Sequence, residues 1–220
     1  MDCLTEIGRK HLPDGYWGRS FEPGSRPGPV CLTFDDGPDP ATTPHLLELL
    51  EETGCQATFF LIGSHAARHS HLVDKIAAAG HCIGNHSFSH YWMPALGTGA
   101  VESEIDRANY EIESITGVRP QLFRPPFGMI DRRAASCLAE RRMVPVYWGA
   151  VPSDWEAPGA PRVTGRVMRR LSAGSLIVLH ERKTLAKQTI SAAKEIICKG
   201  KELGYEFVGI SRLMRDTCTL

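Results

Sequence analysis

The sequence has no long hydrophobic run and no excess of charge of either sign. No apolar stretch reaches the roughly 18 residues that a membrane-spanning helix needs, so no integral membrane span is expected. Lys and Arg total 25, Asp and Glu total 25, and the formal net charge is therefore zero. Such a chain has no overall field to attract nucleic acid or an anionic membrane, which argues against nucleic-acid binding.

Cysteine is sparse, and its spacing forms no recognisable pattern. The seven cysteines are scattered along the chain, with no C-x-x-C pair. An odd number at irregular spacing is neither a disulfide framework nor a zinc finger. The N-terminus also lacks the apolar segment of a secretory signal. We therefore expect a cytoplasmic protein with reduced cysteines, although a secreted or periplasmic chain whose leader had been removed would look the same.

Nucleotide-binding motifs are absent as well, and what the sequence contains instead is an alternation of short apolar runs and helical patterns. Neither G-x-G-x-x-G nor the P-loop pattern occurs. The alternation predicts strands and helices in turn, hence parallel pairing with helices covering the sheet. Strands are expected at 30–34, 57–62, 81–84, 121–123, 143–148, 176–179 and 205–208. Helices are expected at 42–53, 72–79, 100–116, 131–141, 161–171 and 184–199.

Seven strands in this order favour an α/β fold with a single-domain, distorted (β/α)7 barrel of the TIM-like type. An open doubly wound sheet is the alternative that the pattern leaves open. Residues 1–29 are rich in Gly and Pro and show no period, so they are interpreted as an N-terminal arm. The domain itself is expected to span residues 30–220.

Polar, chemically capable side chains follow five of the predicted strands. In parallel α/β proteins, chemistry gathers just beyond the C-terminal ends of the strands, so these side chains are expected to meet on one face. The five clusters are Asp35-Asp36, the segment 85–90 with His86 and His90, the segment 124–128 with Arg124, Asp154-Trp155, and His180-Glu181.

Each cluster also has a plain structural explanation when it is taken alone. Asp35 and Asp36 could form a cap and turn, His86 and His90 could be surface histidines, and His180 could be a satisfied core residue. His86 and His90 stand four positions apart, so one helical turn would place both on one face. Taken together, however, one carboxylate and two imidazoles form a three-ligand metal set that leaves positions for water and substrate.

A divalent metal in such a set makes bound water more acidic and polarises a carbonyl. A second carboxylate can then serve as general base and a histidine across the site as general acid. This combination hydrolyses an amide or an ester without a nucleotide or a redox centre.

These residues resemble the motifs of the polysaccharide deacetylase family, which includes chitin, chitooligosaccharide and peptidoglycan N-acetylglucosamine deacetylases. The resemblance runs from about residue 30 to residue 210, and the nodulation-type deacetylases are similar in length. It is carried by 33–37 (TFDDG), 86–90 (HSFSH), 124–128 (RPPFG), Asp154-Trp155 and 176–180 (LIVLH). The resemblance implies a distorted (β/α) barrel and residues 30–220 as the catalytic domain.

The resemblance also implies roles for single residues. Asp36, His86 and His90 would bind one divalent metal, commonly Zn²⁺, with Co²⁺, Ni²⁺ or Mn²⁺ as the other metals used. Asp35 would be the general base, and Arg124 would keep it ionised and oriented. His180 would protonate the leaving amine. Asp154 would tune the acid through contact with Arg124 or His180. The backbone N–H of Phe127 would stabilise the oxyanion. The residues that would line the substrate pocket are Trp155, Leu179, Pro125 and Pro126.

Two positions depart from the family pattern. Val151 stands where another acid usually precedes the Asp-Trp aspartate, and Glu181-Arg182-Lys183 follows His180 where Asp-Gly is usual. Neither departure removes a metal ligand or the base, so we expect an altered substrate and not an inactive enzyme.

The leading hypothesis is a metal-dependent N-deacetylase whose partner is an N-acetylated glycan, of chitooligosaccharide or peptidoglycan type. One alternative keeps the chemistry but acts on a lipid-linked or small amino sugar, as a deformylase or deacetylase. The other is a non-catalytic, sugar-binding pseudoenzyme. The glycan chain length, the sugar that is deacetylated and the oligomeric state have no signal in the sequence.

Overall fold

The computed structural model describes residues 13–16, 18 and 26–217. This part of the chain contains seven strands: β1 Pro29–Gly37, β2 Ala57–Leu61, β3 Cys82–Asn85, β4 Leu122–Phe123, β5 Val144–Pro145, β6 Leu176–His180 and β7 Glu206–Phe207. Its α-helices are α1 Thr43–Thr53, α2 Gly63–Arg68, α3 Ser70–Ala78, α4 Thr98–Thr116, α5 Arg132–Glu140, α6 Ala160–Met168, α7 Ala186–Glu202 and α8 Ile210–Thr217. Short 3₁₀ turns lie at Met93–Ala95, Pro126–Gly128, Asp154–Glu156 and Lys183–Leu185.

The sheet is parallel throughout and curls into a barrel. Its strand order is β5-β4-β3-β2-β1-β6, and β7 pairs with the start of β1. The barrel closes between β5 and β6, where Ala150, which follows β5, forms a parallel bridge with Ile177 of β6. The Ala150 N–H donates to the Leu176 carbonyl over 2.6 Å, and the Val178 N–H donates to the Ala150 carbonyl over 3.2 Å. The distorted (β/α)7 barrel is therefore confirmed, and the open doubly wound sheet is excluded.

Alternation along β1 decides which side chains face the barrel interior. Leu32 and Phe34 belong to the main core between the sheet and the helices, whereas Cys31 lies in a second cluster on the other face of the sheet. Because side chains alternate along a strand, Thr33 and Asp35 share the inner face with Cys31. The Asp35 side chain therefore projects into the mouth of the barrel from near the C-terminal end of β1, whose residues after Pro29 are all buried.

Residues 13–16 of the predicted N-terminal arm pack beside β5. Tyr16 forms a parallel bridge with Val146, its N–H donates to the Pro145 carbonyl over 2.7 Å, and the Tyr147 N–H donates to its carbonyl over 2.8 Å. The Tyr147 hydroxyl donates to the Pro13 carbonyl over 3.0 Å. The rest of residues 1–25 lies outside the described residues.

Several predicted elements differ in extent from those observed. Asp35 and Asp36 lie within β1 and do not follow it, and the strand predicted at 143–148 is reduced to Val144–Pro145. The side chain of Thr42 makes no cap hydrogen bond for α1, whereas Gly54 ends this helix in the left-handed conformation as expected. Helix α8 was not predicted.

Two predicted absences can be compared with the described residues. Among them, no helix is both long and apolar enough to cross a membrane. The described cysteines, at positions 31, 55, 82, 137 and 198, are all free. Cys3 and Cys218 lie outside the described residues.

Candidate metal centre and catalytic site

Asp36, His86 and His90 meet at the mouth of the barrel. One ligand atom from each lies within 4.8 Å of the others. Nε2 of His86 and Nε2 of His90 stand 3.5 and 3.2 Å from Oδ1 of Asp36. This oxygen is buried and has no well-formed hydrogen bond to any described residue. An acceptor oxygen facing two ring nitrogens without hydrogen bonds fits a divalent cation, because a cation would satisfy all three donor atoms at once.

The hydrogen bond on the far side of His86 fixes which of its nitrogens is available. Nδ1 of His86 lies 2.6 Å from the backbone carbonyl of Arg124. A carbonyl only accepts, so Nδ1 carries the proton, and Nε2 of the neutral ring keeps its lone pair toward Asp36. This outer hydrogen bond is the usual device that orients a histidine toward a metal.

The loop that carries both histidines is not helical, so the expected helical turn is wrong. Ser87 and His90 have left-handed φ values of 63° and 59°, and these two turns bring the imidazoles together. The ring centroids of the histidines lie 4.9 Å apart. Left-handed conformations of non-glycine residues are costly and persist where the surroundings hold them.

Hydrogen bonds from three side chains hold this loop. Oδ1 of Asn85 accepts from the Ser87 N–H over 2.7 Å, and Oγ of Ser87 accepts from the His90 N–H over 3.0 Å. Oε2 of Glu104, on α4, accepts from the N–H groups of Phe88 and Ser89 over 3.1 and 2.7 Å. The position of His90 therefore depends on a buried carboxylate that the sequence analysis did not single out.

Asp35 and Arg124 form a fully buried ion pair. Both side chains are 0% exposed, and Nη1 of Arg124 lies 2.7 Å from Oδ1 of Asp35. The guanidinium also donates to the Thr33 hydroxyl over 2.6 Å and lies 4.1 Å from the ring centroid of Phe60. Oδ2 of Asp35 has no hydrogen-bond partner among the described residues. The aspartate therefore keeps one free acceptor oxygen at the barrel mouth.

Asp154 contacts His180, one of the two partners expected for it. Its two oxygens accept from Nδ1 and from the backbone N–H of His180 over 2.9 and 2.8 Å. Burial lowers the pKa of His180, but the hydrogen bond and charge of Asp154, with the charges of Asp35 and Asp36, more than offset this, so the pKa is raised above its ordinary value. Trp155 and Trp148 stand edge-on to the imidazole at 5.4 and 6.3 Å. His180 faces Asp35 across the β1–β6 pairing.

Two charged neighbours of Asp36 come from the segment after β6. Nε of Arg182 lies 2.6 Å from Oδ2 of Asp36. Glu181 is buried and accepts a hydrogen bond from the Thr43 hydroxyl. Burial raises the pKa of Glu181 to about 8. For Asp36, burial alone would raise the pKa, but His86 and His90 hold it well below its usual range.

This geometry can be compared with known proteins. A family model described as polysaccharide deacetylase matches residues 23–145, more than half of the chain. The chain belongs to the polysaccharide deacetylase family. A peptidoglycan-N-acetylglucosamine deacetylase of Bacillus cereus is 34% identical over 210 residues, which cover 94% of this chain and 97% of that protein.

Similar solved structures include one named as a deacetylase and one named as a pseudoenzyme. A peptidoglycan N-acetylglucosamine deacetylase in complex with 4-naphthalen-1-yl-N-oxidanyl-benzamide is 30% identical, has a TM-score of 0.82, and aligns over 88% of this chain and 90% of its own. A CE4 family pseudoenzyme from Bacillus anthracis also has a TM-score of 0.82, at 26% identity over 93% of this chain and 70% of its own. Fold similarity therefore does not distinguish an enzyme from a pseudoenzyme. The distinction must come from the residues of the site.

One expected pocket residue lies elsewhere. Leu179 is 0% exposed and belongs to the main core between the sheet and the helices, so its assignment to the substrate pocket is wrong. The reason is alternation along β6, which turns Val178 and not Leu179 to the side of His180.

The other expected pocket and oxyanion residues lie beside the site. Trp155 is 40% exposed next to His180, and Pro125 and Pro126 are buried and lead from Arg124 to Phe127. Phe127 has a left-handed φ of 58°, and its ring centroid lies 4.9 Å from that of His90. Their roles stay predictions.

Sequence reasoning missed Glu104, Thr33 and the contact of Arg182. The position of Thr33 could have indicated its role, because a residue two places before Asp35 on a strand lies on the same face. Glu104 carried no signal, because a glutamate in a helix is ordinarily a solvated residue.

Replacing Glu104 with alanine should destabilise the protein through the histidine loop. Two backbone N–H groups lose a carboxylate acceptor, and a hydrogen bond to a charged group contributes about 1.5–3 kcal/mol. We expect E104A to lower the free energy of unfolding by about 2 kcal/mol, measured by urea denaturation. Glu111→Ala on the same helix is the matched control. Equal stability of the two variants would contradict this role for Glu104.

Proposed function

We propose that the protein is a metal-dependent hydrolase that removes N-acetyl groups from N-acetylglucosamine residues of an oligo- or polysaccharide. The observation that carries this proposal is the grouping of Asp36, His86 and His90 beside the free oxygen of Asp35. Family membership and the relative named as a deacetylase support N-acetylated glycans as the substrate class. Residues 30–220 would form the catalytic domain, with residues 1–29 as an arm.

Asp36, His86 and His90 would hold the metal. Two imidazole nitrogens and one carboxylate oxygen suit Zn²⁺, with Co²⁺, Ni²⁺ and Mn²⁺ as weaker candidates. When bound, a divalent cation supplies Lewis acidity, which polarises an amide carbonyl and makes water a stronger acid.

Asp35 would accept the proton from the attacking water at Oδ2. Its other oxygen is held by Arg124, which keeps the carboxylate ionised and aimed. The backbone N–H of Phe127 would donate to the developing oxyanion, and Trp155 would border the acetyl group.

His180 would then protonate the leaving amine. Its Nδ1–H is donated to Asp154, which leaves Nε2 as the nitrogen that can release a proton to the substrate. The raised pKa of His180 keeps the ring protonated at a higher pH than an ordinary histidine, as a general acid requires.

Acetate release tests the proposal directly. The purified protein loaded with Zn²⁺ or Co²⁺ should release acetate from N-acetylated chitooligosaccharides or from peptidoglycan fragments, measured by mass spectrometry of the released acid. Formate in place of acetate would assign a deformylase. Release of neither acid by the metal-loaded protein from this panel would contradict the proposed activity and favour the non-catalytic, sugar-binding alternative.

The two adjacent aspartates should separate rate from metal binding. We expect Asp35→Asn to lower kcat by about 10²–10⁴-fold, because it removes the base, and to retain the metal. His86→Ala should lose the metal together with the activity. Metal content by mass spectrometry and acetate release measure the two effects. Thermal unfolding is followed in parallel, since Asp35→Asn leaves the buried Arg124 without its counter-charge.

The opposite pattern would reverse the assignment of the aspartates. If D35N lost the metal while Asp36→Asn kept it, Asp35 would be the ligand and Asp36 the base.

The alkaline limit of the pH–rate profile should depend on Asp154. A general acid must be protonated, so activity falls as pH rises through the pKa of His180, which Asp154 places above the ordinary value. Asp154→Asn removes the raising interaction while burial remains. The alkaline limb of the pH–rate profile should therefore move to lower pH, by about 1–3 pH units. Asp106→Asn is the control, and an unmoved limb in D154N would contradict the role of His180.

A further inference from the structure

Arg182 contacts a candidate metal ligand from a position where the chain departs from its family's pattern. Its Nε lies 2.6 Å from Oδ2 of Asp36, and the Asp36 side chain is only 4% exposed. The Arg182 side chain is 48% exposed, so the pair joins a buried carboxylate to a partly solvated guanidinium. Its significance lies in which oxygen it uses.

The two oxygens of Asp36 have different surroundings. Oδ2 is bonded to Arg182, whereas Oδ1 faces Nε2 of His86 and of His90 and has no hydrogen-bond partner among the described residues. A carboxylate that has no guanidinium bonded to it can bind a cation through one oxygen or through both. Here the guanidinium occupies one of the two.

Two hydrogen bonds hold the backbone just before Arg182. The Glu181 N–H donates to the Asp35 carbonyl over 2.8 Å, which extends the β1–β6 ladder beyond His180. The Thr189 hydroxyl donates to the His180 carbonyl over 2.9 Å. Alternation then sends Glu181 toward Thr43 and Arg182 to the side of His180.

A long side chain on an anchored backbone loses less freedom when it makes a contact than one on a mobile loop. The Asp36 end is held as well, since Nδ1 of His65 lies 2.9 Å from the Asp36 carbonyl. The pair therefore joins two fixed points of the barrel mouth.

We propose that Arg182 is a positioning residue that holds Oδ2 of Asp36, so that the carboxylate binds the metal through Oδ1 alone. The inference rests on the proposed function, because it takes Asp36 as a metal ligand. It assigns a role to a residue outside the motifs that carry the resemblance.

The test uses the visible absorption of the Co²⁺-loaded protein, which weakens as the coordination number of Co²⁺ rises. In Arg182→Gln, Oδ2 is released and can join the metal. We therefore expect weaker absorption per bound Co²⁺ than in the wild type. The Co²⁺ dissociation constant, measured by chelator competition, should fall about 10-fold, because a ligand oxygen is added and a neighbouring positive charge is removed.

Two variants serve as comparisons. The contact is made by Nε, so the longer reach of Nζ lets Arg182→Lys donate to the same oxygen, and its spectrum should resemble that of the wild type. Lys183→Gln removes a neighbouring exposed cation and should change neither quantity.

The outcomes separate this inference from the proposed function. If the R182Q spectrum equals that of the wild type, or if R182K behaves like R182Q, the positioning role is overturned while the metal site stands. Tighter Co²⁺ binding by R182Q with an unchanged spectrum would show that Arg182 acts only through its charge. If the wild-type protein binds no Co²⁺, the proposed metal-dependent function fails and takes this inference with it.

Discussion

The site depends on one buried arginine. Arg124 is 0% exposed, and removing a guanidinium from water is costly unless its charge and its donors find partners. Asp35 supplies the charge, Thr33 a further acceptor and Phe60 a ring face. The backbone carbonyl of the same residue holds the His86 ring. One residue therefore couples the candidate base to a candidate metal ligand, so displacement of Arg124 would disturb both.

Strained backbone gathers around the same place. Seven described non-glycine residues have positive φ. All except Arg142 lie in or beside segments of the site: Asp36 near the end of β1, and Ser87, His90, Phe127, Ser153 and Ala157 in the segments after β3, β4 and β5. Each such residue costs on the order of 1–3 kcal/mol. A core built for stability alone would not concentrate this cost at one end of a barrel. The strain instead turns side chains toward a point that regular strands and helices cannot reach.

The sequence predicts those features that follow from local periodicity, or from the rule that functional side chains gather beyond the C-terminal ends of parallel strands. Alternating apolar runs predicted the barrel, and the five polar clusters were expected at its mouth, where the structure places them. Prediction failed where long-range contacts decide. Arg182 meets Asp36 across 146 positions, and no local pattern encodes that contact. Leu179 was misassigned because the alternation along β6 was not applied, although the sequence contained it. The spacing of His86 and His90 does not reflect a helical turn, since left-handed turns at Ser87 and His90 bring the two side chains together.

The structure named as a pseudoenzyme has the same TM-score as the one named as a deacetylase, so the chemistry must depend on a few atoms and not on the barrel as a whole. In this chain the two adjacent aspartates share one arrangement. Each has one oxygen bonded to an arginine, Arg124 for Asp35 and Arg182 for Asp36, and one oxygen without a hydrogen bond among the described residues. A buried acceptor without a partner costs about 1–3 kcal/mol. Two of them side by side cannot be explained by folding stability, but they are the arrangement that a proton acceptor next to a cation ligand requires.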